Sequence, residues 1–160
     1  MGEVIIRGML PEDLDQIVSI EKICFSLPWS KESFINELKS ENAYYQCAEE
    51  SGKIAGYMGM WRIIDECHIT NVAVLPECRN KGIASGLIHK MVEICRCSEI
   101  SSMTLEVRAS NIPAINLYKK FGFYSVGKRP NYYSKPAEDA LIMWRCPNPI
   151  SQSVFSEKWR

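Results

Sequence analysis

The sequence lacks an excess of charge of either sign, and this absence narrows the classes of molecule that the protein is expected to bind. Its 19 basic side chains balance its 19 acidic ones, so the formal net charge is zero. A protein without a net field is not drawn as a whole onto nucleic acid or an anionic membrane. We therefore expect no direct binding of nucleic acid, and any affinity for phosphate must be local.

Long apolar runs are also missing, as is the basic-then-apolar start that is typical of a signal peptide. Seven cysteines are present, which is an odd number, and they form no Cys-x-x-Cys pair. A disulfide framework normally uses an even set, and a zinc site needs closer ligand spacing. We expect a cytoplasmic protein with no membrane contact and no bound metal.

The length of 160 residues, with 46% hydrophobic and 24% charged side chains, is typical of one globular domain. Hydrophobic periodicity ends near Cys146. The remaining residues are polar and include two prolines, so we predict a domain over 1–146 and a loosely held tail over 147–160.

Hydrophobic spacing predicts the element order β-α-α-β-β-β-α-β-α-β-β. Apolar residues recur with helical spacing from Ala84 to Cys95, which predicts an amphipathic helix. Apolar and polar residues alternate from Met103 to Arg108, which predicts a strand. Ser51-Gly52 predicts a hairpin turn, and residues 131–133 are interpreted as an aromatic loop between the last two strands. This order favours a mixed α/β fold with a central mixed sheet of about seven strands and helices on both faces.

The segment 71–84 has the pattern of an anion site. An apolar strand leads into a basic loop with Arg79 and Lys81, and Gly82 opens the following helix. Free amides and the helix dipole would face an anion there, and glycine allows close approach. The spacing fits neither a Walker A loop nor the three-glycine dinucleotide fingerprint. From the loop alone, a phosphate site and an ordinary turn before a helix both remain open.

Two further residues carry possible acid–base chemistry. Glu106 lies on the polar face of its predicted strand, where it is either a general base or a surface acid paired with Arg108. Tyr118 lies on the inward stripe of its helix, where it is either an acid or a packing residue. His68 has no acid at a telling sequence spacing, so we interpret it as an ordinary strand residue.

From about Val4 to Arg145 the chain resembles the GCN5-related N-acetyltransferases (GNAT), whose acetyl-CoA loop has the pattern Gln/Arg-x-x-Gly-x-Gly/Ala. Arg79-Asn80-Lys81-Gly82-Ile83-Ala84 fits that pattern. Within the family, the chain is most similar to the ribosomal-protein-alanine N-acetyltransferases. The segments that carry this closer similarity are Pro28–Ser30, Leu105–Asn111, Ala114–Tyr118, Phe121–Phe123, Asn131–Tyr133 and Glu138–Ala140.

The resemblance implies acetyl-CoA as cosubstrate and a role for each matching position. Glu106 matches the proposed general base, and Tyr118 matches the proposed general acid. Tyr132 and Tyr133 would border the groove for a peptide N-terminus. The cofactor-binding positions would be Val72, Ala73 and Val74 for the pantetheine arm, Arg79, Asn80, Lys81, Gly82, Ile83 and Ala84 for the pyrophosphate, and Asn111 beside the arm.

The sequence is compatible with three functions. The first is acetylation of the N-terminal alanine of a small-subunit ribosomal protein, by a monomer. The second is acetylation of lysine side chains or of a small amine. The third is a non-catalytic module that only binds acetyl-CoA, although a module of that kind would not need Glu106 and Tyr118.

Overall fold

The computed structural model describes residues 2–146, so the predicted tail over 147–160 lies outside the described residues. The strands are β1 (Val4–Gly8), β2 (Ala43–Glu50), β3 (Lys53–Ile63), β4 (Glu66–Val74), β5 (Ser102–Arg108), β6 (Tyr124–Ser134) and β7 (Ala137–Arg145). The helices are α1 (Leu14–Cys24), α2 (Lys31–Lys39), α3 (Ile83–Cys97) and α4 (Ile112–Lys120), with 3-10 turns at Pro11–Asp13 and Pro76–Cys78.

The strands form a seven-stranded mixed sheet in the order β1-β2-β3-β4-β5-β7-β6. β4 and β5 are parallel, and their register runs from Glu66 opposite Ser102 to His68 opposite Thr104. β7 pairs antiparallel with β5 on one side and with β6 on the other. The predicted fold class and element order are therefore confirmed. Within the described residues, no helix is both long and apolar enough to span a membrane.

The chain divides into two compact units. Of the described residues, one unit comprises 2–62 and 70–94, and the other comprises 63–69 and 95–146. β4 contributes residues to both.

The first unit is organised around Phe34 of α2, which is fully buried. Its ring meets Tyr57 edge-on at a centroid distance of 5.7 Å and Tyr45 at 6.3 Å. Edge-to-face aromatic pairs are favoured over stacked rings because of the ring quadrupole. Ser30 caps α2 by accepting a hydrogen bond from the Ser33 amide at 3.2 Å.

The second unit places alternate β5 residues in its core. Met103, Leu105 and Val107 are buried, so the opposite face of the strand presents Thr104 and Glu106. Helix α4 begins one residue before Pro113, and the Asn111 side chain caps it by accepting from the Ala114 amide at 3.3 Å.

The predicted aromatic loop is wrong. Asn131, Tyr132 and Tyr133 belong to β6, and the turn lies at Lys135–Pro136. Pro130 and Asn131 have turn composition, but pairing with β7 resumes beyond them, where Tyr133 lies opposite Glu138. The register irregularity between Arg129 and Tyr133 accommodates both residues in an uneven strand.

Candidate active site

Glu106 lies at a cavity of about 190 Å³ in the second unit. Only 10% of its side chain is exposed, so the acid is much more enclosed than a solvated strand residue. Polar side chains lie at the cavity wall beside apolar ones, which is the usual composition of a ligand site. The lining residues are Ile63, Glu66, Cys67, His68, Thr104, Glu106, Arg129, Ile142 and Trp144.

The Glu106 carboxylate has two charged or polar partners. Its Oε2 lies 2.5 Å from His68 Nε2, and its Oε1 lies 3.5 Å from Arg129 Nε. The interpretation of His68 as an ordinary strand residue is therefore wrong, because it contacts this carboxylate. The suggested pair with Arg108 is also wrong, because the Arg108 guanidinium contacts Glu138 at 3.3 Å.

These partners decide the ionisation of Glu106. Burial by itself would raise the pKa of this carboxyl. The His68 hydrogen bond and charge, with a smaller contribution from Arg129, outweigh burial and hold the pKa below its usual value of 4.5. Glu106 is consequently a carboxylate at neutral pH and is ready to accept a proton.

Tyr118 is on the inner side of α4, as predicted, and is 7% exposed. Its ring packs against Phe123 at a centroid distance of 5.7 Å. Burial, and then the neighbouring Tyr133, raise the pKa of the phenol. The hydroxyl therefore stays protonated throughout the physiological range and remains a donor.

Tyr132 and Tyr133 are neighbouring aromatic side chains of the second unit. Their rings meet at 90° with centroids 5.0 Å apart. Burial is the main cause that raises both pKa values, to about 12 for Tyr133, and the Glu106 charge contributes to each shift. Glu106 therefore influences both tyrosines, and Tyr133 also influences Tyr118.

The predicted anion loop belongs to the first unit and has the backbone geometry that such a site needs. Asn80 and Gly82 have positive φ values of 63° and 78°. The Gly86 amide donates to the Gly82 carbonyl at 3.0 Å, so the amides of residues 83–85 precede the internal hydrogen bonds of α3. A Cβ added to Gly82 would meet no protein atom within 4 Å. These features fit a phosphate held by main-chain amides.

The two basic side chains of this loop are already engaged by the protein. Arg79 Nε donates to the Val74 carbonyl at 3.2 Å, and Arg79 Nη2 lies 4.0 Å from Cys24 Sγ. Lys81 Nζ lies 3.5 Å from a Glu50 carboxylate oxygen. The Glu50 carboxylate offsets part of the Lys81 charge, whereas Arg79 keeps its full charge because its two partners are neutral.

The remaining predicted cofactor positions differ in burial. Ala73 and Ile83 are buried and Asn80 is exposed, whereas Val72, Val74 and Ala84 are half-buried. Asn111 is an exposed helix cap. Within residues 2–146, no group of three or more His, Cys, Asp or Glu side chains is arranged to hold a metal ion.

Two residues that contact Glu106 were not predicted from the sequence. His68 is 38 positions from Glu106 and Arg129 is 23 positions beyond it. The only available signal was the alternation of the strand from Glu66, which puts His68 on its less buried face. Which acid it meets depends on the register of β4 against β5.

Residues 14–123 match the acetyltransferase (GNAT) family, and a 44% identical relative aligns with 87% of the chain. The chain therefore belongs to the GNAT family of acetyltransferases, and it is an acyltransferase.

That relative is a Bacillus subtilis (strain 168) protein to which ribosomal protein bS18-alanine N-acetyltransferase activity is provisionally assigned, and the alignment covers 93% of it. The ribosomal protein bS18-alanine N-acetyltransferase of Escherichia coli (strain K12) is 32% identical over 86% of this chain and 94% of its own. The crystal structure of the E. coli ribosomal-protein-S18-alanine N-acetyltransferase superposes with a TM-score of 0.83 at 29% identity, covering 90% of this chain and 94% of the other.

Proposed function

We propose that the protein transfers an acetyl group from acetyl-CoA to the α-amine of an N-terminal alanine on a small-subunit ribosomal protein. The observation that carries this proposal is the enclosed Glu106 carboxylate, held by His68 and Arg129 at a cavity. The names of the Bacillus and E. coli relatives, both aligned over nearly their whole length, support the substrate. We expect the enzyme to act as a monomer in the cytoplasm.

Acetyl-CoA supplies an activated acetyl group as a thioester. In this proposal the main-chain amides from Arg79 to Ala84 bind its pyrophosphate, and the positive φ of Gly82 lets them converge. The backbone of Val72–Val74 binds the pantetheine arm, and Asn111 lies beside that arm.

Glu106 has the proton-accepting role. The amine nitrogen attacks the thioester carbonyl carbon, a C–N bond forms as the C=O π pair moves to the oxygen, and the nitrogen acquires a positive charge. An α-amine has a pKa of about 7.7–8.0, so a sizeable fraction is already neutral at cytoplasmic pH. Glu106 then needs only to take the proton that the nitrogen loses after attack, directly or through one water. The lowered pKa of Glu106 means that the carboxylate is ionised at neutral pH, and therefore free to take this proton.

Tyr118 has the donating role. The oxygen re-forms the C=O bond as the C–S bond breaks, and the sulfur leaves with the electron pair as a thiolate, whose conjugate thiol has a pKa of about 8.5 if it resembles cysteine. The phenol is protonated at neutral pH, so it has a proton to donate as the negative charge develops. Tyr118 donates to the sulfur, and the thiol is the product.

The acceptor groove favours an α-amine over a lysine. An α-amine is attached directly to the backbone, so a short groove walled by Tyr132 and Tyr133 can present it to the thioester. A lysine would need a channel for its four-carbon stem, and its amine, with a pKa of about 10.4, would need more assistance from a base.

Release of coenzyme A tests this function. The protein is incubated with acetyl-CoA and a short peptide beginning with alanine, either free or blocked at its N-terminus. We expect release with the free peptide and background release with the blocked one. Equal release from both peptides would contradict an α-amine substrate, and release from neither would contradict peptide acetylation.

A further inference from the structure

Arg108 lies two residues beyond Glu106 on β5, on the same face of the strand. Its guanidinium extends to the turn that joins β6 to β7. Nη1 donates to the Pro136 carbonyl at 2.9 Å, and Nη2 donates to the Lys135 carbonyl at 3.1 Å. The strand that carries the proposed base is thereby bonded to the main chain of the hairpin turn.

Glu138 strengthens this connection from the hairpin side. Its Oε1 accepts from Arg108 Nη1 at 3.3 Å, and its Oε2 accepts from the Ser110 amide at 2.6 Å. The carboxylate therefore bridges Arg108 and the loop that follows β5. Hydrogen bonds with a charged partner are stronger than neutral ones.

The face of the same guanidinium lies over the ring of Tyr133, with its central carbon 4.2 Å from the ring centroid. Tyr133 in turn packs edge-on against Tyr132. Nearer the start of the hairpin, Arg129 contacts Glu106. The strand segment that carries the two tyrosines is thus held to β5 at two points, by Arg129 and by Arg108.

These side-chain contacts matter because regular strand pairing is interrupted here. The register of β6 against β7 shifts between Arg129 and Tyr133, and Asn131 has a positive φ of 53°. The Asn131 amide donates to the side chain of Asp139, at 2.9 Å, and not to a ladder carbonyl. A segment without a regular ladder takes its position from such contacts.

We propose that Arg108 is a positioning residue that sets Tyr132 and Tyr133, the walls of the acceptor groove, relative to Glu106. This inference rests on the proposed function. Lysine cannot replace arginine in this role, because it lacks the planar fork that reaches two carbonyls and the flat face that covers a ring. Loss of the fork should weaken acceptor binding and leave the acetyl-CoA loop unaffected.

Arg108→Lys and Arg108→Ala test this inference, with the exposed helix residue Arg96 changed in the same two ways as a matched control. Initial rates with an alanine peptide should give a peptide KM raised roughly 10-fold in Arg108→Lys, with an unchanged acetyl-CoA KM. Added guanidinium ion should restore part of the loss in Arg108→Ala. Hydrogen exchange over residues 129–136 should increase in both variants, and neither Arg96 variant should show these changes.

Each outcome decides the inference. An unchanged peptide KM in Arg108→Lys would overturn it. Equal increases in the KM for peptide and the KM for acetyl-CoA, accompanied by a fall in Tm, would also overturn it, because they indicate a purely structural role. Those results leave the proposed function intact. A wild-type enzyme that does not acetylate the peptide contradicts the proposed function and overturns this inference with it.

Discussion

His68 and Glu106 come from neighbouring parallel strands and meet with Nε2 and Oε2 2.5 Å apart. His68 is in register with Thr104, and Glu106 is the next residue of β5 on the same face. The contact gives a mostly buried carboxylate a partner that favours its charged form. The proposed base is therefore kept ionised by a residue that lies 38 positions away in the sequence.

The first prediction concerns the pH profile of the His68→Ala variant. Without the imidazole, burial loses the two contributions that do most to offset it, so the pKa of Glu106 should rise relative to wild type. Plots of log kcat/KM against pH have a slope of one below the pKa of the amine and a steeper slope once Glu106 is protonated. We expect the steepening at a higher pH in His68→Ala than in wild type.

Glu106→Gln provides the reference for this experiment. It keeps the size of the side chain and removes its basicity, so turnover should fall by roughly 10²–10⁴-fold with little change in acetyl-CoA affinity. Glu93→Gln, on the exposed side of α3, is the control. Wild-type turnover in Glu106→Gln would show that another group is the base. Coincident pH profiles of wild type and His68→Ala would show that His68 does not affect the pKa of Glu106.

The second prediction concerns Tyr118→Phe, which retains the buried ring and its packing on Phe123. Loss of the donor should lower turnover roughly 10²-fold, since one donor to a developing charge is typically worth this much. Thermal stability should stay close to that of wild type. Tyr124→Phe loses a hydroxyl that contacts Cys146 and should keep normal turnover. If Tyr118→Phe unfolds readily but turns over normally when folded, Tyr118 is a core residue.

The third prediction uses two glycines with the same backbone conformation. Gly82 and Gly52 both have φ of 78°, and an added Cβ at either would meet no protein atom within 4 Å. Valine at either site therefore introduces a similar backbone strain. Only Gly82→Val should also obstruct the phosphate, so calorimetry should show a sharp loss of acetyl-CoA affinity in that variant alone. Equal affinities in Gly82→Val and Gly52→Val would remove Gly82 from the binding site.

The fourth prediction concerns stability in acid. Arg7 bonds both carboxylate oxygens of buried Asp13, at 2.8 and 2.9 Å, and this contact is the main cause that lowers the pKa of Asp13. Because the pKa of Asp13 is lower in the folded protein than its unfolded value of 3.8, the ionised carboxylate stabilises the fold at pH values above 3.8. This stabilisation is lost as the pH falls through the pKa of Asp13 in the folded protein.

Urea unfolding at pH 7 should show Asp13→Asn to be less stable by roughly 2 kcal/mol, and the difference should narrow below the unfolded pKa. Asp15→Asn removes an exposed ion pair with Lys31 and should cost less than about 1 kcal/mol. A pH-independent difference for Asp13→Asn would show that its charge does not matter.

Much of the fold was predictable because its signals are local. The alternation from Met103 to Arg108 and the helical spacing from Ala84 to Cys95 are periods that the sequence displays directly. The aromatic loop was mispredicted because a proline and an asparagine have turn composition wherever they occur. Whether a strand continues past them depends on its partner, and β7 resumes pairing at Tyr133.

The candidate site was only partly predictable for a related reason. The resemblance selected Glu106 and Tyr118, and the structure places both in the same unit. The partner of Glu106 depends on the register between β4 and β5, which no local pattern encodes. The engagement of Arg79 by the Val74 carbonyl likewise follows from how the chain folds back on itself, whereas composition shows only a positive charge.

The position of the acetyl label tests the central claim most directly. A peptide that begins with alanine and contains an internal lysine is incubated with the enzyme and acetyl-CoA, and tandem mass spectrometry locates the added group. The α-amine is a weaker base than the lysine amine, so more of it is neutral and able to attack at cytoplasmic pH. It also needs no channel for a four-carbon stem. We therefore predict nearly all of the label on the terminal nitrogen. Label found mainly on the lysine side chain would contradict N-terminal acetylation.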